Sequence, residues 1–269
     1  MPPVILAYHL VDSRFDFGIT WVTPRRFERQ MCWLAENGYR TCSLTDCLQR
    51  PEQTQQREVV LTFDDGYRAL IKHALPVLQR CNFTATVFPV VNYIGEKNHW
   101  DYNLFWRRHE HLCWSELQEM RAAGWEIGSH SMRHAYLPGL SAPELFKDLL
   151  DSKQILEDHL QIPIVHLSLP FGRGNQKVLR TARDVGFQSV SALGQEAVTK
   201  SGAKKNDVKP RRDPFVFHRR GIYLHDGLRS FRRRVEAPRE SRRERLRQRV
   251  ISFFSMGTII VKTLGEIRK

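Results

Sequence analysis

Cysteine is scarce in this sequence and none of it is arranged to pair. Cys32, Cys42, Cys47, Cys81 and Cys113 are odd in number, scattered, and never spaced as C-x-x-C, which argues against a disulfide framework or a zinc ribbon and suits free thiols in a reducing compartment. No apolar run approaches the roughly 20 residues of a membrane span. The opening M-P-P-V-I-L-A-Y-H-L-V has no basic stretch, and Tyr8 and His9 interrupt its apolar run. It does not read as a secretory leader, so the expected compartment is the cytoplasm. Neither G-x-G-x-x-G nor G-x-x-x-x-G-K-[ST] occurs, so the common nucleotide-binding turns are missing. No internal repeat or low-complexity block precedes residue 198.

What is present suits a globular α/β chain. At 269 residues with 41% hydrophobic content, there is material for one large domain or two small ones. The net charge of +13 is unevenly placed: residues 1–197 carry 21 Lys and Arg against 22 Asp and Glu, and residues 198–269 carry 21 against 7. A neutral body with a basic end argues against a nucleic-acid-binding core and assigns any polyanion contact to the C-terminal part.

Strand and helix signals alternate through the body. Strands are expected at Val4–His9, around Val59–Phe63, and at Thr84–Val91, Trp125–Ser129, Val165–Leu169 and Phe187–Leu193. Helices are expected at Pro24–Gly38, Thr45–Gln49, Ala69–Arg80 with a kink at Pro76, Trp114–Gly124, Ala142–Leu160 and Gln176–Val185. Repeated βα units with glycines at helix ends predict a parallel sheet, open or closed into a barrel.

One stretch resists explanation by packing alone. V-V-L-T-F-D-D-G-Y (59–67) reads as a strand buried on both faces that delivers Asp64 and Asp65 to a glycine turn. Carboxyl ends of parallel strands are where ligands gather. A single Asp would suffice to cap the following helix. Two adjacent carboxylates repel and need a cation, a proton or an arginine beside them.

A partner set follows the strand W-E-I-G-S, where G-S-H-S-M-R-H places His130 and His134 four apart. If the segment is helical, the two imidazoles share a face and can bind one metal. An H-x-x-x-H alone is a weak signal, and two surface histidines would explain it. Its position on the same rim as Asp65 completes a carboxylate and two imidazoles, a common catalytic zinc set with an open position, and leaves Asp64 free to act as a base.

Together these residues resemble the polysaccharide deacetylases, the carbohydrate esterase group with the NodB-type domain, whose motifs are T-F-D-D-G and H-[ST]-x-x-H. Thr62 to Gly66 and His130 to His134 match both, and A-Y-H-L-V, F-E-R-Q-M-C-W-L-A-E-N-G-Y and S-L-P-F-G-R (168–173) extend the resemblance over residues 4 to 230. It implies an irregular (β/α)7 barrel in residues 1–228 and metal-dependent removal of N-acetyl groups from the amino sugars of a polysaccharide or glycan precursor. Asp64 is then the general base, and Asp65, His130 and His134 hold a divalent metal. Zinc is the expected ion, with cobalt, nickel and manganese as alternatives. The backbone N–H of Phe171 would face the oxyanion.

The sequence also departs from that pattern. The family's third motif has an arginine that fixes the base, where this chain has Ser168, so Arg173 or another basic residue must turn inward or the base is less well held. The D-x-x-D-W motif is missing. The L-x-H motif, whose His is the general acid, is met only loosely by Leu224-His225, which makes His225 the candidate acid. His9, closing the first strand, is carried as a rim residue or, equally, a packed core histidine. Trp100, Trp106 and Trp114 could form a lid over a sugar, although Trp114 heads a helix and suits the core.

Residues 229–269 read as a basic tail. Ten arginines lie between Arg229 and Arg249, followed by V-I-S-F-F-S-M-G-T-I-I-V (250–261). This combination suits contact with an anionic membrane surface, at the inner face and on a lipid-linked or nascent glycan, about as well as it suits a solvated helix packed on the barrel. Nucleic acid is the weakest partner, for no aromatic residues interleave the arginines. The competing functions are a catalytically impaired carbohydrate-binding relative, suggested by Ser168, and a basic membrane-surface adaptor. A haloacid-type phosphohydrolase is rejected because its two Asp residues are separated by one.

Overall fold

The computed structural model describes residues 3–14, 19–50, 57–97, 109–194, 198–199 and 213–237. Seven parallel strands form its centre: β1 (Val4–Tyr8), β2 (Glu58–Asp65), β3 (Thr86–Pro89), β4 (Glu126–Ile127), β5 (His166–Ser168), β6 (Ser189–Leu193) and β7 (Val216–Gly221). Their spatial order is β4-β3-β2-β1-β7-β6-β5. Ser129, just past β4, bridges to Leu167 of β5, its N–H donating to the His166 carbonyl at 2.9 Å and its own carbonyl accepting from Ser168 at 2.8 Å. The two ends of the sheet thus meet, giving the nearly closed (β/α)7 barrel that the resemblance implied.

Among the described residues eight α-helices accompany the strands: α1 (Pro24–Glu36), α2 (Leu44–Gln49), α3 (Ala69–His73), α4 (Leu75–Arg80), α5 (Trp114–Ala122), α6 (Ala142–Leu160), α7 (Gln176–Asp184) and α8 (Leu228–Glu236). Local chemistry sets their limits. Thr23 caps α1, with Pro24 in its first turn, and a Ser141/Glu144 capping box starts α6, which ends at Gln161 in the left-handed region. The helix expected at Ala69–Arg80 is two, meeting at Ala74, because Pro76 has no N–H to donate and its ring crowds the preceding turn.

Side chains alternate along β2 and divide two packing layers. Leu61 and Phe63 face the helices with Leu6, Tyr8, Phe27 and Met31; the Tyr8 ring stacks on Phe63 at 5.4 Å and meets Phe27 edge-on at 5.3 Å. Val60, Thr62 and Asp64 face the barrel interior, where Val60 packs with Ile5, Phe88 and Leu44. The amino end of the interior is sealed by α2: the Glu126 carboxylate accepts the N–H groups of Leu44 at 2.9 Å and Thr45 at 3.2 Å and the Thr86 hydroxyl at 3.0 Å. The carboxyl end is therefore where the interior can meet a ligand.

Residues 228 and 229, between which a boundary was expected, open α8, which packs on the barrel. Phe231, Arg234 and Val235 of α8 are buried, and Phe231 meets Trp33 of α1 edge-on at 6.0 Å. Arg234 donates to the Gly221 carbonyl at 2.8 Å and pairs with Asp226 at 3.2 Å, fastening α8 to the segment after β7. The tail beyond Ala237, like Trp100 and Trp106, lies outside the described residues. No helix among the described residues is long and apolar enough to cross a membrane.

Candidate metal and acid-base site

Asp64, near the end of β2, points into the barrel mouth and is buried there. Its two oxygens receive the two terminal nitrogens of Arg219, Nη1 on Oδ1 and Nη2 on Oδ2, both at 2.8 Å. Ser168 of β5 donates its hydroxyl to Oδ1 at 2.9 Å and accepts from Arg219 Nη2 at 2.7 Å; Arg219 also reaches the Thr62 hydroxyl at 3.1 Å. Burial alone would raise the Asp64 carboxyl, but the Arg219 guanidinium, then His130 and His9, hold it below the usual carboxylate range. The arginine missing at position 168 is thus supplied from β7.

The next residue turns away from this pair. Asp65 has φ 69° and Gly66 φ 68°, and a Cβ on Gly66 would sit 2.9 Å from Pro89 Cα, so only glycine fits this turn. Asp65 Oδ1 is buried and makes no hydrogen bond of good geometry; it faces Nε2 of His130 at 3.3 Å and of His134 at 3.6 Å. One donor atom from each of the three residues lies within 4.8 Å of the others. Burial opposes ionisation of Asp65, but His130, His9 and His134 hold its carboxyl low. Burial would lower the His130 imidazole, and Asp64 and Asp65 raise it instead.

The histidines converge by a route different from the expected helix. Residues 130–134 form a non-helical turn with Ser131 at φ 65° and His134 at φ 53°; Ser131 Oγ accepts the His134 N–H at 3.1 Å, and Asp148 of α6 accepts the Met132 N–H at 3.0 Å. The rings still end 4.9 Å apart. His130 Nδ1 lies 2.9 Å from the Ser168 carbonyl, which requires an N–H there and leaves the lone pair on Nε2, toward Asp65. Seven described non-glycine residues have positive φ, and four of them, Asp65, Ser131, His134 and Phe171, are in this site. Such clustering of strain marks functional sites.

The remaining candidates divide. Phe171, at φ 58°, lies in the turn after β5 with its ring 4.7 Å from that of His134. His9 follows β1 and its Nε2 is 3.8 Å from Asp64 Oδ2. His225 is exposed in the segment between β7 and α8, and among the described residues it makes no hydrogen bond or ion pair with the cluster. Trp114 is half-buried and stacks on His159 at 3.9 Å. Sequence reading missed Arg219 because V-F-H-R-R-G was not recognised as a strand; strand alternation places Arg219 on the same face as Phe217, and a strand assignment there could have found it. It also missed Asp148, a polar residue on the buried face of α6.

A (β/α)7 barrel with this cluster at its carboxyl rim has the framework of a NodB-type deacetylase. The chain belongs to the polysaccharide deacetylase family, whose model matches residues 52–190. It is 30% identical over 187 residues to the Bacillus subtilis protein YxkH, covering 68% of this chain and 62% of that one. It is 29% identical over 136 residues to the peptidoglycan-N-acetylglucosamine deacetylase of Bacillus cereus, covering 50% and 56% respectively. It therefore spans under two thirds of the length of each of these curated relatives. Among solved structures, the Streptococcus pyogenes deacetylase PplD superposes with a TM-score of 0.70 at 20% identity, over 87% of this chain and 98% of that one, a likeness of fold.

Proposed function

We propose that the protein hydrolyses the acetamide C–N bond of an N-acetylated amino sugar in a polysaccharide or glycan precursor, releasing acetate and a free amine. The observation that carries this reading is the side-by-side placement of an arginine-held carboxylate, Asp64, and a buried carboxylate–imidazole cluster, Asp65, His130 and His134. The substrate class is supported by the family and by the amino-sugar polymer named for the Bacillus cereus relative.

Asp65, His130 and His134 fit a divalent metal. Asp65 Oδ1 lacks a good hydrogen bond and meets the Nε2 atoms of both His130 and His134, so one oxygen and two imidazole nitrogens converge in a buried spot. One oxygen and two imidazole nitrogens suit zinc best, with cobalt, nickel or manganese as alternatives. Such an ion, when bound, supplies Lewis-acid polarisation of the acetamide carbonyl and a more acidic water.

The chain's own groups would do the rest. Asp64 accepts the proton of the attacking water as a C–O bond forms, while Arg219 and Ser168 keep its carboxylate ionised and aimed. The Phe171 N–H is assigned to the developing oxyanion, and the left-handed backbone there supports that assignment. As the C–N bond breaks, the leaving amine takes a proton from His9, which sits beside Asp64 where His225 does not. The reading of a catalytically impaired relative rested on Ser168, and Arg219 removes its motive. Acetate release from a panel of N-acetylated glycans, with and without chelator, tests the proposal. Chelator-sensitive release supports it, and no release from any of them with metal restored overturns it.

A further inference from the structure

Helices α1 and α8 pack side by side and expose arginines: Arg25, Arg26 and Arg29 on the first, Arg229, Arg232 and Arg233 on the second. The Arg232 guanidinium lies over the Trp33 ring, 5.2 Å from its centroid. On a helix, residues three, four and seven apart share a face, so Arg26 and Arg29 lie on the stripe of Trp33, and Arg232 and Arg233 each neighbour Arg229, three and four residues away. The Arg232–Trp33 contact therefore sets two basic stripes next to each other. The exposed or half-exposed acids of these helices are Glu28, Glu36 and Glu236, and Glu28 is already paired with Arg80 at 2.5 Å.

This face adjoins the barrel mouth. Gln30 of α1 donates to the Asp226 carbonyl at 3.1 Å and Arg26 to that of Leu224, both in the segment after β7, the strand that carries Arg219. The sequence beyond α8 continues with Arg239, Arg242, Arg243, Arg245, Arg247 and Arg249, then the apolar V-I-S-F-F-S-M-G-T-I-I-V.

We propose that the α1/α8 face is a docking surface for an anionic lipid bilayer. A soluble polyanion would satisfy the arginines and leave the dozen-residue apolar run without a partner. An interface of anionic headgroups and acyl chains satisfies both. Docked this way, the barrel stands with the segment linking β7 to α8, which α1 holds through Gln30 and Arg26, near the lipid, suited to a glycan held at a membrane.

The test is co-sedimentation of the full chain with vesicles of phosphatidylcholine, with or without phosphatidylglycerol. The chain is expected to bind only the phosphatidylglycerol vesicles, and less as salt is raised. The variant R29S/R229S/R233S, all exposed positions away from the acid-base site, should keep the wild-type melting temperature. At roughly fivefold per arginine near an anionic surface, it should bind about a hundredfold more weakly. Absence of anionic-vesicle binding, equal binding to neutral vesicles, undiminished binding by the variant, or capture of a soluble acidic polysaccharide in place of the vesicles would each overturn the proposal. Vesicle binding is read without any acetate release, so its failure is distinct from failure of the deacetylase reading.

Discussion

Arg219 reaches Asp64 with both terminal nitrogens, each at 2.8 Å, across 155 residues of sequence. Two parallel N–H···O bonds to one carboxylate fix its plane as well as its charge. Removing the guanidinium leaves a buried carboxylate that burial alone drives toward its neutral form. The sign follows: the Asp64 pKa rises, the base form is reached only at higher pH, and the acid limb of the kcat profile moves to higher pH. R219M is expected to lose ~10²–10⁴ in kcat at neutral pH and ~3–5 kcal/mol of stability from the unpaired charge. In S168R/R219S the arginine stands instead on β5, at the position whose serine hydroxyl already reaches Asp64, and the acid limb should shift back toward wild type. A pH profile of R219M that superposes on wild type would show that Asp64 does not depend on this pair.

The proposed mechanism gives the general-acid role to His9, 3.8 Å from Asp64, and not to His225. H9A should lose ~10²–10⁴ in kcat with little change in KM, as expected for loss of a general acid, and H225A should stay close to wild type. Steady-state kinetics on one soluble N-acetylated substrate decide between them, and the opposite ranking would restore His225 as the acid.

Much of the site was legible in the sequence, and its gaps have particular causes. Asp64, Asp65 and Gly66 announced themselves because an apolar strand ending in two carboxylates has no packing explanation, and the left-handed turn at 65–66 is there. The spacing of His130 and His134 suggested a shared helix face, but the turn is held by Ser131 and by Asp148 of α6, partners invisible in local periodicity. Arg219 was hidden by the charge census, which counted it with a basic end of the chain although it is 1% exposed inside the barrel. Arg234 was misplaced with the tail for the same reason. Charge per segment cannot distinguish a solvated arginine from one that balances a buried carboxylate. The fold was easier to read, since the βα alternation is sustained, and among the seven barrel strands only β7, whose six residues include His218, Arg219 and Arg220, escaped notice.

Stability should fall on mild acidification. His166 lies inside the barrel with Nδ1 2.7 Å from the Ser189 hydroxyl and Nε2 3.0 Å from that of Thr45, and burial lowers its pKa against the opposing pull of Glu126. A base held neutral in the folded state and free to charge in the unfolded chain makes the unfolded chain bind more protons. The stability it contributes is present above the unfolded histidine value of about 6.5 and is lost as pH drops below it. Melting temperatures taken in chelator between about pH 7.5 and pH 5.5 should decline, with a shallower slope in H166Q. Equal slopes would assign the loss to other groups.

The turn that presents the histidines depends on α6. D148A removes the acceptor for the Met132 N–H and is expected to cost about 1–3 kcal/mol and to weaken metal affinity by roughly tenfold or more. Calorimetric titration with zinc measures both the affinity and the fold's integrity. An unchanged affinity would confine Asp148 to packing.

The most direct measurement is zinc content and acetate release determined together on purified wild type, D64N and D65A. Wild type should hold one zinc per chain and release acetate. D64N should hold the same zinc and lose ~10²–10⁴ of the turnover, and D65A should lose both. A zinc-free D64N protein, or a D65A protein that keeps its zinc, would contradict the division of labour between these two neighbouring carboxylates.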